Sequence, residues 1–430
     1  MRGTRPHFVF LQGMPSPFFS RIAATLRARG CRTTRINLCF GDLLFWRGPN
    51  AVNYRGSYRA WGEYIDRFFV RESVTDLVLL GEQRRYHREA VAAAQARGIR
   101  VTVTDFGYIR PDWITFERDG MSGASRFPRD PKAIRALAAK LPIPDWRPRF
   151  VDSAFQMAWR DLTHNFSQLL FGWLYPGYRR SDARPHTLIY TPACAWRLFT
   201  NSRLKPRADQ FVRDLVGSGA PYYVFPLQLD FDFQIIAYSA FDGVGQAIQQ
   251  VLESFAKHAP AHTRLVLKEH PWDPAITRWE RIMASHVERL GLHGRVDYLR
   301  GGNLDDLVRA SQGMVTVNST AGLRALQLCR PLKALGQAIY DVPGLSFQGS
   351  LDEFWIDATP PDAALVTDFL TAIAGTVQIR GVFFDEAGLG PAVEEAVQRL
   401  LARTVGKPSY LEPLSPDTNE APQKEPVEAL

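Results

Sequence analysis

The chain has 430 residues, of which 46% are hydrophobic and 22% charged, so it is long enough to build two domains with separate cores. Its net charge of +8 favours an anionic partner, but the basic residues are scattered and no zinc, helix-turn-helix or RNP motif accompanies them, which argues against nucleic acid. The four cysteines lie far apart without histidines at zinc-ligand spacing, which argues against a disulfide framework or structural zinc and favours buried thiols in a reducing compartment.

No segment of the chain has the pattern of a secretion signal or a membrane-spanning helix. The apolar run at residues 7–11 is too short for a signal peptide and is followed by Gly13, Pro15 and Pro17. Nowhere do about 18 apolar residues follow one another. We therefore expect a cytoplasmic protein that contacts a membrane, if at all, only peripherally.

The first 105 residues alternate short strand-like runs with helical patterns. Strands are predicted at 7–12, 32–37, 76–80 and 100–104, with helices over 17–29, 57–72 and 83–97. This order predicts a parallel doubly wound sheet in an N-terminal Rossmann-like domain over 1–150. Sites on such sheets lie at the carboxyl ends of the strands.

A connector over 151–185, with an amphipathic helix at about 151–172, precedes a second α/β alternation over 186–385. Its predicted strands are 187–190, 222–228, 264–268, 295–299 and 313–318, and its predicted helices are 201–216, 241–258, 275–290, 303–310 and 321–329. A terminal helix follows over 386–404. The tail, 405–430, contains five prolines and five acidic residues and is predicted to be disordered.

Two motifs at predicted strand ends of the second half carry the main chemical signal. Lys268-Glu269-His270-Pro271 follows one strand, and Asn318-Ser319-Thr320 follows another where a helix begins. The first amides of a helix bind phosphate, and the hydroxyls of Ser319 and Thr320 would add donors. An imidazole at His270, with the charge of Lys268, suits a departing phosphate oxygen. The structural alternative is that His-Pro merely ends a strand and Ser-Thr merely caps a helix.

An HP motif followed about 50 residues later by an S-S/T pair resembles the CMP-binding pair of bacterial sialyl- and Kdo-transferases. The chain is more similar still to the KpsS-type (LipB-type) capsule polysaccharide biosynthesis and export proteins, a β-Kdo transferase family. The likeness covers roughly residues 7–385 and rests on the stretches FLQGMPSPFF, GYIRPDWITFERDG, FPLQLDFDFQI, KEHP, VNSTAGLRAL and LGQAIYDVPGL. The resemblance implies a GT-B-like α/β fold, in which two Rossmann-like doubly wound domains face a cleft: an N-terminal acceptor domain and a C-terminal CMP-sugar donor domain.

The resemblance also implies residue roles in the second half. Gln228 and Asp232 match a Q-x-x-x-D element of related capsule Kdo transferases, which makes Asp232 the preferred catalytic nucleophile of a retaining reaction. Asp230 and Asp232 together spell D-x-D, which in another transferase class holds a metal on a nucleotide diphosphate. A CMP-sugar leaves as a monophosphate, so we expect neither metal nor cofactor. Arg324 stands where relatives carry a ribose-binding carboxylate.

The N-terminal half offers further candidates near the ends of its strands. They are Gly13, Glu82, Asp105, Arg110 and Glu117. Asp105 is the preferred acceptor base, because related enzymes carry an acid-Gly-aromatic-x-Arg element that resembles residues 105–110. Arg110 would bind an anionic acceptor. The structural alternatives are that Gly13 permits a turn, Glu82 caps a helix, Glu117 pairs with Arg118 and Asp105 is a turn residue.

The resulting hypothesis is a transferase that moves Kdo from CMP-Kdo to a phosphatidylglycerol-type lipid at the inner face of the cytoplasmic membrane, initiating a poly-Kdo capsule linker. Its expected partners are that donor, the anionic lipid acceptor and other capsule assembly and export proteins. Two alternatives stay open. One is a transferase for another CMP-sugar such as sialic acid, and the other is a non-catalytic scaffold for capsule assembly or export.

Overall fold

The computed structural model describes residues 5–46, 48–180 and 184–407, apart from the side chains of Leu198, Asn201 and Ser202. The chain forms two compact units. Unit 1 comprises residues 1–127, 135–182 and 368–430, and unit 2 comprises 128–134 and 183–367. The division differs from the predicted boundaries, because the predicted connector belongs to unit 1 and the C-terminal segment returns to complete that unit.

The N-terminal part of the chain, up to residue 171, supplies six strands and six helices among the described residues. The strands are β1 (His7–Phe10), β2 (Arg32–Asn37), β3 (Ala51–Asn53), β4 (Asp76–Leu80), β5 (Arg100–Phe106) and β6 (Trp113–Arg118). The helices are α1 (Phe18–Ala28), α2 (Phe40–Leu44), α3 (Trp61–Arg71), α4 (Arg85–Ala96), α5 (Pro131–Ala138) and α6 (Ala154–Phe171). Short 3-10 turns occupy Tyr58–Ala60, Ser122–Ala124 and Gly172–Leu174.

The remaining elements lie C-terminal to these. The strands are β7 (Tyr222–Pro226), β8 (Arg264–Lys268), β9 (Val296–Leu299), β10 (Gly313–Thr316), β11 (Leu332–Ala334) and β12 (Gln378–Arg380). The helices are α7 (Thr187–Gly217), α8 (Phe233–Tyr238), α9 (Val244–His258), α10 (Trp279–Leu290), α11 (Leu304–Arg309), α12 (Ala321–Gln327), α13 (Leu351–Asp357), α14 (Ala363–Thr376) and α15 (Glu386–Ala402).

Both sheets have the doubly wound strand order. In unit 1 the order is β12-β6-β5-β4-β1-β2-β3, and in unit 2 it is β11-β10-β7-β8-β9. The five N-terminal strands β1 to β5 and all five strands of unit 2 run parallel within their sheets. The strand order reverses between β1 and β4 in unit 1 and between β7 and β10 in unit 2, which are the two topological switch points. The predicted Rossmann-like α/β fold class is confirmed.

The prediction of a wholly parallel first sheet is wrong at one edge. β6 runs antiparallel to both β5 and β12. The latter strand comes from the C-terminal segment, and α15 behind it packs Leu389, Ala396 and Leu400 into the core formed by Phe8, Phe10 and α1. The segment predicted as a separate terminal helix is therefore part of unit 1.

The predicted strand at 187–190 is also wrong, because these residues begin the 31-residue helix α7. A short apolar run has no periodicity that separates a strand from a helix turn. His186 caps the helix by accepting a hydrogen bond from the Leu188 amide at 3.3 Å.

The predicted tail lies mostly outside the described residues, although Val405, at its start, is buried in unit 1. Cys31 and Cys39 are buried, whereas Cys329 is exposed, so the expectation of buried thiols holds only in part. Among the described residues, no helix combines the length and the apolar content needed to cross a bilayer.

Candidate functional site

A buried amide pair marks the switch point of unit 2. Gln228 follows β7 and Asn318 follows β10, and both side chains are almost fully buried. The Gln228 Nε2 donates to Asn318 Oδ1 at 3.0 Å, and the Asn318 backbone amide donates to Gln228 Oε1 at 3.2 Å. The Asn318 Nδ2 donates to the Gln234 carbonyl at 2.7 Å, which ties the start of α8 to β10. The two strand ends are thus held together where ligands bind in such sheets.

Asp232 lies beside this pair and caps α8. Its Oδ1 accepts from the Gln234 amide at 2.9 Å, while its Oδ2 lies 3.5 Å from Gln228 Nε2, at the limit of a hydrogen bond. The carboxylate is partly exposed. The cap fixes the orientation of the side chain.

His270 lies in the same row as Gln228 and Asn318. Pro226 pairs with Lys268 and Val224 pairs with Met314. By register count, residues 228, 270 and 318 therefore follow the ends of three neighbouring strands at matching positions, which we call the row. His270 Nδ1 accepts from the Trp272 amide at 3.1 Å, which leaves the ring proton on Nε2. The imidazole can therefore donate a hydrogen bond from Nε2 to an anion. Pro271 is exposed within this turn, which closes through the Asp273 amide donating to the His270 carbonyl.

Lys268 lies one row below, on the same face of the sheet. The opposite face, with Leu265, Leu267 and Phe225, packs into the core of unit 2. Burial lowers the pKa of Lys268. A desolvated cation next to the row offers a strong electrostatic partner for an incoming anion.

The Ser319-Thr320 turn differs from the predicted phosphate cradle. α12 has seven residues, and its first amides already donate within the turn: Ala321 to Ser319 Oγ, Gly322 to the Ser319 carbonyl and Leu323 to the Thr320 carbonyl. An anion here would be bound by the two hydroxyls rather than by open helix amides. The hydroxyl of Tyr340 donates to the Ser319 carbonyl at 2.6 Å and holds this turn.

The two aspartates of D-x-D have different surroundings. Asp230 is exposed and points towards Gly243, whose ideal Cβ position lies 3.2 Å from Asp230 Oδ1, whereas Asp232 is fixed as a helix cap. Among the described residues these aspartates form no group with a third metal ligand. Arg324 forms an ion pair with Asp305 of α11, so it supports the packing of two helices.

Sequence reasoning missed an ion cluster on the other side of the KEHP motif. Glu269 is buried and accepts from the Tyr298 hydroxyl at 2.5 Å, and it forms ion pairs with Arg197 of α7 and with Arg300. A cavity of about 800 Å³ opens beside this cluster. The only sequence signal was the Glu269 carboxylate inside the motif, because its partner Arg197 lies at 191–200, for which no element was predicted.

In unit 1, Asp105 ends β5 next to two arginines. Burial raises the pKa of Asp105, while the hydrogen bond from the Phe106 amide and the charges of Arg84 and Arg110 act against that rise. The Arg110 guanidinium lies 4.9 Å from the centre of the Phe106 ring and is also attracted to Asp152. The raised pKa suits Asp105 to act as a base, and the neighbouring Arg84 and Arg110 can bind an anionic group.

The other N-terminal candidates have structural surroundings. Glu82 is buried after β4, and the N-cap of α4 is Arg84, so the capping alternative for Glu82 is wrong. A Cβ at Gly13 would lie 2.6 Å from the Phe19 ring, so close packing requires the glycine. Glu117 is buried and accepts from the hydroxyls of Tyr108, at 2.5 Å, and Ser125, rather than pairing with Arg118. Its burial removes it from the accessible acceptor candidates.

A buried polar network at the ends of β1 and β2 was also missed. Gln12 Nε2 donates to Asp42 Oδ1 at 3.2 Å, Arg35 lies 3.3 Å from the same oxygen, and the His164 ring approaches it at 3.8 Å. Burial by itself would raise the pKa of Asp42, but His164 and Arg35 lower it to about 2.

Cys39, Asp42 and His164 place one potential metal ligand each within 4.8 Å of one another. Burial raises the pKa of the Cys39 thiol well above its ordinary value, which disfavours the thiolate that a metal needs. The Arg35 guanidinium also opposes a divalent cation at Asp42. These residues fit a hydrogen-bonded network better than a metal site.

Comparison with known sequences points to one family. A family profile described as capsule polysaccharide biosynthesis protein matches residues 75–384. The chain is 29% identical over 383 residues to the capsule polysaccharide export protein KpsS of Escherichia coli, covering 88% of this chain and 96% of that protein. It is 31% identical over 392 residues to the capsule polysaccharide modification protein LipB of Neisseria meningitidis serogroup A, covering 88% and 92%.

Solved structures show more distant likenesses. KpsC of Thermosulfurimonas dismutans, a β-Kdo 2,7 transferase, aligns over 93% of this chain and 99% of its own, with 13% identity and a TM-score of 0.44. The UDP complex of Anabaena HepE aligns over 93% and 99%, with 12% identity and a TM-score of 0.36. Likenesses of this extent carry no functional argument.

Proposed function

Since the chain belongs to the capsule polysaccharide biosynthesis protein family, we propose that it is a retaining glycosyltransferase that moves Kdo from CMP-Kdo to a phosphatidylglycerol-type lipid. The product would begin the poly-Kdo linker of a capsular polysaccharide at the inner face of the cytoplasmic membrane. The observation that carries the proposal is the aligned row of Gln228, His270 and Asn318, with Asp232 beside it and Lys268 beneath.

In this proposal the row binds the donor phosphate. His270 donates from Nε2 to a phosphate oxygen, and Lys268 supplies a positive charge that burial has stripped of water. Ser319 and Thr320 add hydroxyl donors. As the bond between the anomeric carbon and the phosphate oxygen breaks, charge builds up on that oxygen, and these fixed donors stabilise it.

Retention at the anomeric carbon requires two displacements. The Asp232 carboxylate attacks the anomeric carbon and CMP leaves, which gives a sugar ester on Asp232. The acceptor hydroxyl then attacks the same carbon and the Asp232 carboxylate is released. Gln228 and the α8 cap keep the carboxylate oriented for the first step.

Asp105 is the proposed base for the acceptor hydroxyl, and Arg110 the proposed group for the acceptor phosphate. The raised pKa of Asp105 brings its proton affinity closer to that needed for proton transfer near neutral pH. Pro271, Gly13 and Asp230 remain secondary candidates for substrate contact, whereas Glu82 is buried as Glu117 is.

Release of CMP from CMP-Kdo, in the presence of phosphatidylglycerol, tests the proposal. Asp232→Asn should lower release roughly thousandfold and His270→Ala roughly a hundredfold, because each removes a group used in the transition state. The matched controls are Asp242→Asn and His262→Ala, which change exposed residues of the same unit. Equal activity in all four variants, or no CMP release by the wild type, would overturn the proposal.

A sialic acid donor would use the same phosphate-binding groups. Substituting CMP-sialic acid for CMP-Kdo in the same assay separates the two donors. If neither donor turns over and CMP does not raise the melting temperature, the scaffold alternative takes the place of the enzyme.

A further inference from the structure

The outer face of α6 is apolar. Its exposed side chains, together with one from the following 3-10 turn, form what we call the α6 apolar face: Phe155, Trp159, Phe166, Leu169, Leu170 and Trp173. At about 100° per residue, the five that lie on the helix fall within about 50° of a single line along it. Phe155, Trp159, Leu170 and Trp173 are each at least 60% exposed.

The opposite face of α6 is anchored by polar groups. Gln168 Oε1 accepts from the Phe40 amide at 2.9 Å, and the His164 ring contacts Cys39 and Asp42 of the buried network. A surface helix normally buries its apolar stripe and exposes its polar one. In α6 the inward side carries Gln168 and His164 together with Met157, which packs against the core of unit 1, and Phe171, which contacts Phe40. The second apolar stripe stays exposed and is available to a partner.

The charges around the α6 apolar face identify the kind of partner. The exposed Arg147 precedes the helix and the exposed Arg179 follows it. Arg149 is also exposed before the helix, but it pairs with Asp145. The one acidic residue within α6, Asp161, lies off the stripe and bonds to Asn165. Trp, Phe and Leu on one side, with cationic residues at both ends, is the pattern of a helix that lies in the interface of an anionic bilayer.

We propose that the α6 apolar face docks the protein on the surface of an anionic membrane, with α6 parallel to the lipid plane. The inference deepens the proposed function, on which it rests for the need to reach a lipid acceptor. A neutral protein partner or a second copy would not require the flanking arginines.

Flotation with vesicles tests the surface. The wild type should float with vesicles of 30% phosphatidylglycerol in phosphatidylcholine, less with pure phosphatidylcholine, and less in high salt. Trp159→Glu/Leu170→Glu should weaken flotation at least about tenfold by placing charge on the face. The matched control is Val70→Glu/Ile356→Glu, which puts the same charge on exposed apolar residues elsewhere and should float like the wild type.

CMP release on a short-chain, soluble phosphatidylglycerol separates this proposal from the proposed function. The α6 double variant should keep wild-type release on that substrate, which also shows that it folds. If the wild-type protein releases CMP but never floats, the proposed membrane-docking surface is wrong and the proposed transferase activity stands. If the wild-type protein floats through α6 but releases no CMP, the proposed transferase activity is wrong and the proposed membrane-docking surface stands.

Two further results would also overturn the inference. One is a wild-type dimer that the α6 variant converts to a monomer without any change in flotation, since the face would then join two copies. The other is flotation lost only in Trp196→Glu/Phe199→Glu, which alters a second exposed apolar group on α7.

Discussion

Removal of the Asn318 side chain should uncouple the start of α8 from the end of β10. Asn318→Ala deletes the hydrogen bonds to Gln228 Nε2 and to the Gln234 carbonyl, at 3.0 and 2.7 Å. It leaves the Gln228 Nε2 with only the weak 3.5 Å contact to Asp232. Because Asp232 caps α8, loosening the helix also loosens the proposed nucleophile.

The magnitude follows from burial. Gln228 is 6% exposed, so its freed Nε2 cannot turn to water, whereas Gln234, whose carbonyl is the other partner left behind, is only half-buried. The unpaired, buried Gln228 amide costs about 1–3 kcal/mol and the lost hydrogen bond to the Gln234 carbonyl about 1 kcal/mol, so the variant should lose roughly 2–4 kcal/mol of unfolding free energy. For a unit of this size that corresponds to a fall in melting temperature of very roughly 4–16 °C. We expect CMP release to fall at least about tenfold in the folded protein, because small displacements of a nucleophile are costly.

Calorimetry with a matched variant checks this reasoning. Asn303→Ala removes an exposed asparagine that caps α11 in the same unit, and it should cost about 1 kcal/mol without affecting CMP release. The reasoning is refuted if Asn318→Ala is no less stable than Asn303→Ala, or if its CMP release equals that of the wild type.

Three further predictions concern pH and packing. The native pKa of Asp105 is raised, so its ionisation lowers the stability of the folded protein above that pKa. Asp105→Asn should therefore stabilise the protein against urea at neutral pH, and this gain should fade as the pH falls below the ordinary value of 3.8. Product assays should show that the same variant has lost transfer to the lipid. Asp42 has a native pKa of about 2, so its roughly 2 kcal/mol of stabilisation is present above pH 3.8 and disappears towards pH 2. In urea denaturation, Asp42→Asn should therefore be less stable than the wild type at pH 7, and the difference in stability should shrink in acid. Gly322→Ala would place a Cβ 2.5 Å from the Tyr340 ring and hydroxyl, so it should lower the free energy of unfolding by about 1–3 kcal/mol. Calorimetry should also show weaker CMP binding by this variant. Gly390→Ala changes a helical glycine with open space around its Cβ position and should leave the free energy of unfolding unchanged.

The strands, and the polar motifs that follow them, could be predicted from local sequence. β2, β4 and β8 have the predicted bounds. β4 and β8 contain the continuous apolar runs that are typical of buried parallel strands, whereas β2, with the sequence RTTRIN, is marked by its β-branched residues. The parallel order then placed the HP and Ser-Thr motifs at one edge of a sheet, where the structure has them.

Contacts between distant residues could not be predicted. The Gln228–Asn318 pair joins residues 90 positions apart, and the Glu269–Arg197 pair depends on a helix that was partly predicted as a strand. β12 was missed because its partner β6 lies far away in the sequence. β6 was missed although it forms an antiparallel pair with the neighbouring β5. The amphipathic pattern predicted α6 correctly but could not say which face is buried, because periodicity is the same whichever side meets the core.

The return of the chain to unit 1 governs the order in which the protein can be made. Residues 378–402 add the last strand of the first sheet and cover a core built from the first 30 residues. On the ribosome, unit 2 can fold as soon as its last strand and helices emerge, whereas unit 1 waits with an open sheet edge and uncovered phenylalanines until synthesis is nearly finished. Chain termination shortly before residue 378 would therefore damage the N-terminal part of the polypeptide, which is synthesised first, and leave unit 2 intact.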